Sequence, residues 1–251
     1  MTFLNKKVLI IGATSGIGRA LADLYCDAGS DVAITGRRQD LLDEFKFERE
    51  TKHRISNNGS KVITGCFDVR GNQNISNIEQ IIAQLGGLDL LIYNSGYGEV
   101  SDTLDWEIEK RTYETNVKGF IEIVHYAYSF FAKQGHGQIA ATSSIAGIRG
   151  NGFAPAYSAS KAFMSIYMEG LHIKSLKTKS GVAITDIQPG FVNTHMAKGE
   201  KQFWVAPVQK AARQIFNGIE KKRSRIYVTK RWWLIAQLMK VVPGWVYYKI
   251  G

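Results

Sequence analysis

Apolar positions along this chain fall into short unbroken runs, separated by stretches in which they recur every three or four residues. The first run is 7–11 (KVLII). A run of that length bounded by polar and turn residues reads as a strand buried on both faces. The pattern predicts strands at 7–11, 31–35, 61–66, 88–93, 138–142, 182–187 and 225–228. Helical periodicity between them predicts helices at 16–28, 38–52, 74–84, 104–133, 157–178 and 207–220. Such alternation implies a doubly wound α/β fold, a mostly parallel seven-stranded sheet with right-handed crossovers and helices on both faces. Ligands of such a sheet collect at the carboxyl ends of its strands.

A chain of 251 residues, 45% hydrophobic and 22% charged, is long enough to bury one substantial core. No Pro/Ser-rich linker, repeat or low-complexity tract divides it. Residues 1–230 are expected to form one dinucleotide-binding and catalytic domain, with 231–251 as an extension. Cys26 and Cys66, without CxxC spacing, read as buried structural residues rather than a disulfide or metal pair. His53, His125, His136, His172 and His195 do not cluster, so no metal is expected. The apolar run after the N-terminus is the first strand rather than a signal segment, and a reducing, cytoplasmic compartment is expected.

Two local patterns carry chemistry. Tyr157 and Lys161 are four apart on a predicted helix, which stands a phenol beside an ammonium on one face. A neighbouring cation favours the phenolate and brings a tyrosine toward the range where proton transfer is efficient. The first strand leads into Gly12-Ala13-Thr14-Ser15-Gly16-Ile17-Gly18 and then into a helix. A glycine-rich turn there lets backbone approach a pyrophosphate, whose charge the helix N-terminus favours.

Gly12-x3-Gly16-x-Gly18, Asn94-Ser95-Gly96, Asn116, Ser144, Tyr157-x3-Lys161 and Pro189-Gly190 stand in the order and spacing of the short-chain dehydrogenase/reductase family. The chain resembles the compact, single-domain branch of that family, over residues 12 to 194. The resemblance implies a Rossmann fold and hydride transfer between a nicotinamide cofactor and a carbonyl or alcohol. It implies that Tyr157 protonates the carbonyl oxygen while Ser144 hydrogen-bonds it. Lys161 would lower the tyrosine pKa and bind the nicotinamide ribose. Asn116 would kink its helix and hold a water for proton relay. Asp68, followed by Val69, matches the position that contacts adenine, and Thr194 the position that contacts the carboxamide. Ser143 is an adjacent decoy, since strand neighbours point to opposite sides. Tyr93-Asn94-Ser95-Gly96 departs from the usual Asn-Asn-Ala-Gly, which bears on packing near the adenine. The family also pairs subunits through the helices at 104–133 and 157–178, so a homodimer or homotetramer is expected.

Charge bears on which cofactor. An NAD site places an acidic residue after the second strand, where it meets the ribose; here Thr35-Gly36 is followed by Arg37 and Arg38. A guanidinium suits a 2′-phosphate, and cations at a helix start otherwise oppose its dipole. NADP(H) is therefore expected, and with it carbonyl reduction. A non-catalytic NADP(H)-binding regulator is the alternative, against which stand the complete Asn116, Ser144, Tyr157 and Lys161.

Net charge is +10, and all of it lies at one end. Residues 1–197 balance, whereas 198–251 hold twelve Lys/Arg against two Asp/Glu. Trp232, Trp233, Trp245, Tyr247 and Tyr248 share that end. Basic residues interleaved with aromatics suit a membrane interface. No apolar run is long enough to cross a bilayer. Three readings stay open: a helix over the substrate pocket, an oligomer contact, or a peripheral membrane anchor. Nucleic acid is not expected, because no nucleic-acid motif accompanies the charge. The segment 191–206 is expected to form a lid with an apolar inner face of Phe191, Met196, Phe203 and Trp204, with Phe153 and Tyr97 as further walls. An apolar carbonyl compound or its secondary alcohol is the expected substrate.

Overall fold

The computed structural model describes residues 5–56, 60–194 and 203–249. Seven strands form one sheet: β1 (Lys7–Ile11), β2 (Asp31–Gly36), β3 (Val62–Cys66), β4 (Leu90–Tyr93), β5 (Gly137–Thr142), β6 (Val182–Pro189) and β7 (Arg225–Val228). Their order is β3-β2-β1-β4-β5-β6-β7, and every neighbouring pair is parallel. The order reverses between β1 and β4, and a crevice opens at the carboxyl ends of strands at such a switch.

The unbroken apolar runs of the central strands have a simple cause: these strands are covered twice, whereas β7 at the edge alternates half-buried and buried positions. Val8 and Ile10 of β1 join Val32, Ile34 and Ile92 in one core, against α1 (Gly16–Asp27), α2 (Gln39–Ser56) and α7 (Val208–Glu220). Leu9 and Ile11 point the other way, with Ala33, Leu91 and Tyr93, against α3 (Asn74–Leu85), α5 (Gly119–Gln134) and α6 (Pro155–Thr178). Alternation of Cβ direction along a strand produces this division.

Element positions follow the sequence pattern closely, with three departures. The helix expected over 104–133 is broken into α4 (Trp106–Tyr113), a π-helical turn at Glu114–Lys118, and α5. Helix α6 begins two residues early because Pro155 occupies its first turn, where a missing N–H costs nothing. Two further helices, α8 (Trp232–Val241) and α9 (Gly244–Tyr247), follow β7. Cys26 is buried as expected, but Cys66 is exposed, since it closes β3 where the strand leaves the sheet. Both are free thiols.

Candidate active site

The chemistry-bearing residues come from the carboxyl ends of β1 to β6, the π turn and the first turns of α6. The turn after β1 is held by the backbone of the neighbouring strand, since Gly12 and Ala13 both donate to the Thr35 carbonyl. Gly12 has a φ of +81°, and a Cβ there would lie 2.6 Å from the Ser95 backbone, so only glycine fits. Asn94 fastens this turn to β5: its amide donates to the Gly12 carbonyl at 3.0 Å and its oxygen accepts from Thr142 at 3.0 Å. Asn94 thus braces the turn, a role its position in the motif does not reveal.

Helix α1 starts with Ser15 extended and making no side-chain cap, so no capping oxygen takes up its first amides. Arg38 reaches back to the same turn, donating to Thr14 Oγ1 at 2.6 Å and Ser15 Oγ at 2.8 Å. Uncapped amides, two hydroxyls and a guanidinium are a donor set that suits phosphate groups. Arg37 is turned differently, 3.7 Å from Asp68. Asp68 is also gripped by Arg70 through two nitrogens, and these cations hold its carboxyl below the usual range against the effect of burial. The Arg70 clamp is absent from the motif-based expectation. Thr194 lies beside the glycine turn, where a Cβ at Gly16 would come 3.3 Å from its methyl. Gly18 lies against the Gly12 carbonyl and the Asn94 side chain, while Ile17 and Val69 are buried in the two cores.

On the other side of the crevice stand Ser144, Tyr157 and Lys161. Ser144 caps the short 3₁₀ turn Ile145–Gly147 by accepting from the Ala146 amide at 3.1 Å. Its neighbour Ser143 turns into the protein and donates to the buried Asp186 carboxylate and the Ile187 carbonyl. The two serines thus face opposite ways, as strand geometry requires. Lys161 is buried, with its ammonium donating to the Thr142 carbonyl at 2.8 Å and lying 5.7 Å from the Tyr157 ring centre. Burial brings Lys161 down to about 8, opposed by Asp186.

Burial pushes the Tyr157 pKa up, and the opposing pull comes from a hydrogen bond with Ser144 rather than from Lys161. The Lys161 ammonium sits over the ring face and is tied to the strand. Gly98 was also missed by the motifs. A Cβ there would stand 2.2 Å from the Tyr157 ring, so this glycine makes room for the phenol.

Asn116 lies fully buried in the π turn. A π turn adds one residue to the helical circuit and breaks the regular ladder at the position where the resemblance implies a kink. Its amide donates to the Tyr97 carbonyl and to Ser160, and its oxygen accepts from the Tyr97 amide. Both amide hydrogens are therefore committed to joining the loop after β4 to α6. Tyr97 lies beneath the Arg111 guanidinium at 4.2 Å, and Phe153 is exposed.

The expected inner face of the lid takes a different form. Phe191, Phe203 and Trp204 gather on Trp232 of α8, with ring centres 5.5, 5.0 and 6.0 Å from it. Trp232 in turn covers Gly190, whose missing side chain makes the space. Met196 lies outside the described residues. Among the described residues no group of His, Cys, Asp and Glu could hold a metal.

Residues 6–203 match the family model described as short chain dehydrogenase. An uncharacterized oxidoreductase of Myxococcus xanthus is 34% identical over 194 residues, covering 76% of this chain and 74% of that one. A short-chain dehydrogenase/reductase of Burkholderia phymatum, solved with NAD, superposes with a TM-score of 0.81 at 20% identity, covering 95% of this chain and 94% of that one. A short-chain dehydrogenase of Sphingobium yanoikuyae, solved with NADPH, gives 0.78 at 19% identity, covering 95% and 97%.

Proposed function

The chain belongs to the short-chain dehydrogenase/reductase family and is an oxidoreductase, and from that premise we propose that it uses NADP(H) to reduce an apolar ketone or aldehyde to the alcohol. The observation that carries the reading is the assembly of Ser144, Tyr157 and Lys161 beyond the carboxyl end of β5. The phosphate-suited donor set of Arg38, Thr14, Ser15 and the α1 amides supports the choice of cofactor.

When bound, the nicotinamide supplies or accepts the hydride. The chain's own residues manage the oxygen. Ser144 offers its hydroxyl to the carbonyl oxygen and stabilises the charge that develops there. Tyr157 then gives that oxygen its proton. A phenol pushed up by burial stays protonated at neutral pH, which suits an acid in the reductive direction. Lys161, drawn down by burial, is the adjacent group best matched to restore that proton.

Titration of NADPH and NADH into the purified protein, followed by nicotinamide fluorescence, tests the cofactor. A strong preference for NADPH, followed by turnover on a panel of apolar ketones and aldehydes, is the expected result. Equal affinity for NADH, or oxidation of alcohols with NAD alone, would overturn both cofactor and direction.

A further inference from the structure

Surface helices of globular proteins present polar residues outward; α8 turns an apolar row outward as well as inward. Its inward face carries Trp232 and Ala236, both buried. On the opposite side Leu234, Leu238 and Val241 follow at i, i+4 and i+7, and are 60%, 56% and 74% exposed. Trp245 and Tyr248, in and just after α9, are 69% and 81% exposed.

These rings are not outward for want of docking. Arg149 donates to the Met239 and Val242 carbonyls and lies over the Tyr247 ring, and the Tyr247 hydroxyl donates to Gly150. The two helices are pinned to the body with their apolar side turned away from it.

Charge identifies what meets that side. Residues 231–251 contain no Asp or Glu, and Arg231, Lys240 and Lys249 are exposed beside the apolar row. Next to it, Lys221, Arg223, Arg225, Lys230 and Trp233 line a cleft along the β7 edge. Arg225 is occupied by Glu169 and Asp186, while no ion pair among the described residues engages Lys221, Arg223 or Lys230. A second copy of this chain brought against the same face would set these cations against their equals. An anionic bilayer offers both complements, phosphate headgroups for the cations and hydrocarbon for the leucines, with Trp and Tyr at the boundary.

We propose that α8 and α9 form a peripheral membrane-binding surface that lies in the interface of an anionic phospholipid bilayer. No described helix is long and apolar enough to cross one, so the attachment is in-plane and reversible. The proposal stands apart from the reaction, because its outward residues Leu234, Leu238, Val241, Trp245 and Tyr248 are exposed on the far side of α8 and α9 from Trp232.

Co-sedimentation of the full chain with vesicles tests it, comparing phosphatidylcholine alone with phosphatidylcholine containing phosphatidylglycerol. The expected result is binding to the anionic vesicles only, weakening as salt screens the surface charge, with a blue shift of tryptophan emission. The double variant Lys240→Gln/Lys249→Gln should bind roughly 30-fold more weakly, about fivefold for each charge removed. The double variant Leu234→Asp/Leu238→Asp should lose binding altogether. Both sites point outward, so retained circular dichroism and thermal melting will show the fold intact. No sedimentation with either vesicle, or equal sedimentation with both, overturns the proposal. So does dissociation of an oligomer by the aspartate variant without any change in vesicle binding, which would make the surface a contact between copies.

Discussion

The Lys161 ammonium lies over the face of the Tyr157 ring, 5.7 Å from its centre, and donates to the Thr142 carbonyl at 2.8 Å. It interacts with the ring's electron-rich face and is fixed by β5 in a buried place. That burial predicts a stability effect with a definite sign. Folded, Lys161 titrates at about 8; unfolded, near its ordinary ~10.4. The unfolded chain therefore binds more protons between those two values, so stability from this residue rises with pH across that window and is lowest below it.

Replacing Lys161 with Met should consequently stabilise the protein at pH 7 while abolishing turnover. The relief is on the order of 3 kcal/mol, less about 1 kcal/mol for the carbonyl of Thr142 left without its donor. Urea unfolding of both proteins at pH 7 and above pH 10 measures the difference. It should shrink as the pH rises. An Lys161→Met protein that is less stable than the parent at pH 7 would show the ammonium to be favourably placed, contrary to the argument.

Tyr157→Phe should lower kcat by roughly 10²–10⁴-fold, the usual range for loss of a positioned acid, with cofactor affinity nearly unchanged. Ser144→Ala should behave differently. The Ser144 hydrogen bond holds the phenol below where burial alone would put it, so its loss raises the Tyr157 pKa. The limb of the pH–rate profile set by Tyr157 should move to higher pH in Ser144→Ala. Ser143→Ala should leave that limb in place, because Ser143 faces Asp186. A shift in the Ser143 variant and none in the Ser144 variant would reverse the assignment of the two serines.

Local patterns made most of the fold legible and only part of the site. Central strands such as β1 and β4 announce themselves because they are buried on both faces, which leaves an uninterrupted apolar run. The π turn at Glu114–Lys118 does not, since inserting one residue into a helical circuit leaves the apolar periodicity of 104–133 outwardly continuous. The roles of single residues depend on neighbours distant in the chain. Asn94 is a brace because Gly12 and Thr142 happen to flank it. Gly98 matters because Tyr157 lies against it, which no spacing within 94–98 reveals. Lys161 reads as the partner of the phenol in sequence, but its hydrogen bond to the Thr142 carbonyl is not legible there. The fate of the lid aromatics was set by Trp232, beyond the motif-bearing part of the chain.

Arg38 and Arg37 look equivalent in sequence and are not equivalent in space. Arg38 binds the two hydroxyls of the glycine turn, while Arg37 is half exposed near Asp68. Arg38→Ala should weaken NADPH by about 10- to 100-fold, the equivalent of a lost charged hydrogen bond of ~1.5–3 kcal/mol. NADH affinity should stay within about threefold, because the lost partner is a phosphate NADH lacks. Arg37→Ala should cost less than about fivefold, as exposed ion pairs contribute ~0–1 kcal/mol. Calorimetric titration of both cofactors into both variants measures this. Parallel losses for NADH and NADPH in Arg38→Ala would make Arg38 a brace of the turn rather than a phosphate ligand.

Trp232 joins the C-terminal helices to the rest of the molecule, and its contacts are almost purely apolar. The ring is 1% exposed, covers Gly190, and is surrounded by Phe191, Phe203 and Trp204. Its indole N–H is buried without an acceptor among the described residues. Trp232→Ala should therefore destabilise by about 3–5 kcal/mol, the usual cost of removing a buried aromatic. Trp232→Phe should be far milder, because it keeps a ring on Gly190 and removes an unpaired donor whose burial itself costs about 1–3 kcal/mol. Gly190→Ala should be as harmful as Trp232→Ala from the opposite side, since its methyl would stand 2.1 Å from the indole. Combining Gly190→Ala with Trp232→Ala should recover part of the loss, because the cavity left by one accepts the methyl of the other. Chemical denaturation of the three single variants and the double variant decides the point. Simple additivity would mean that Gly190 and Trp232 do not pack against each other.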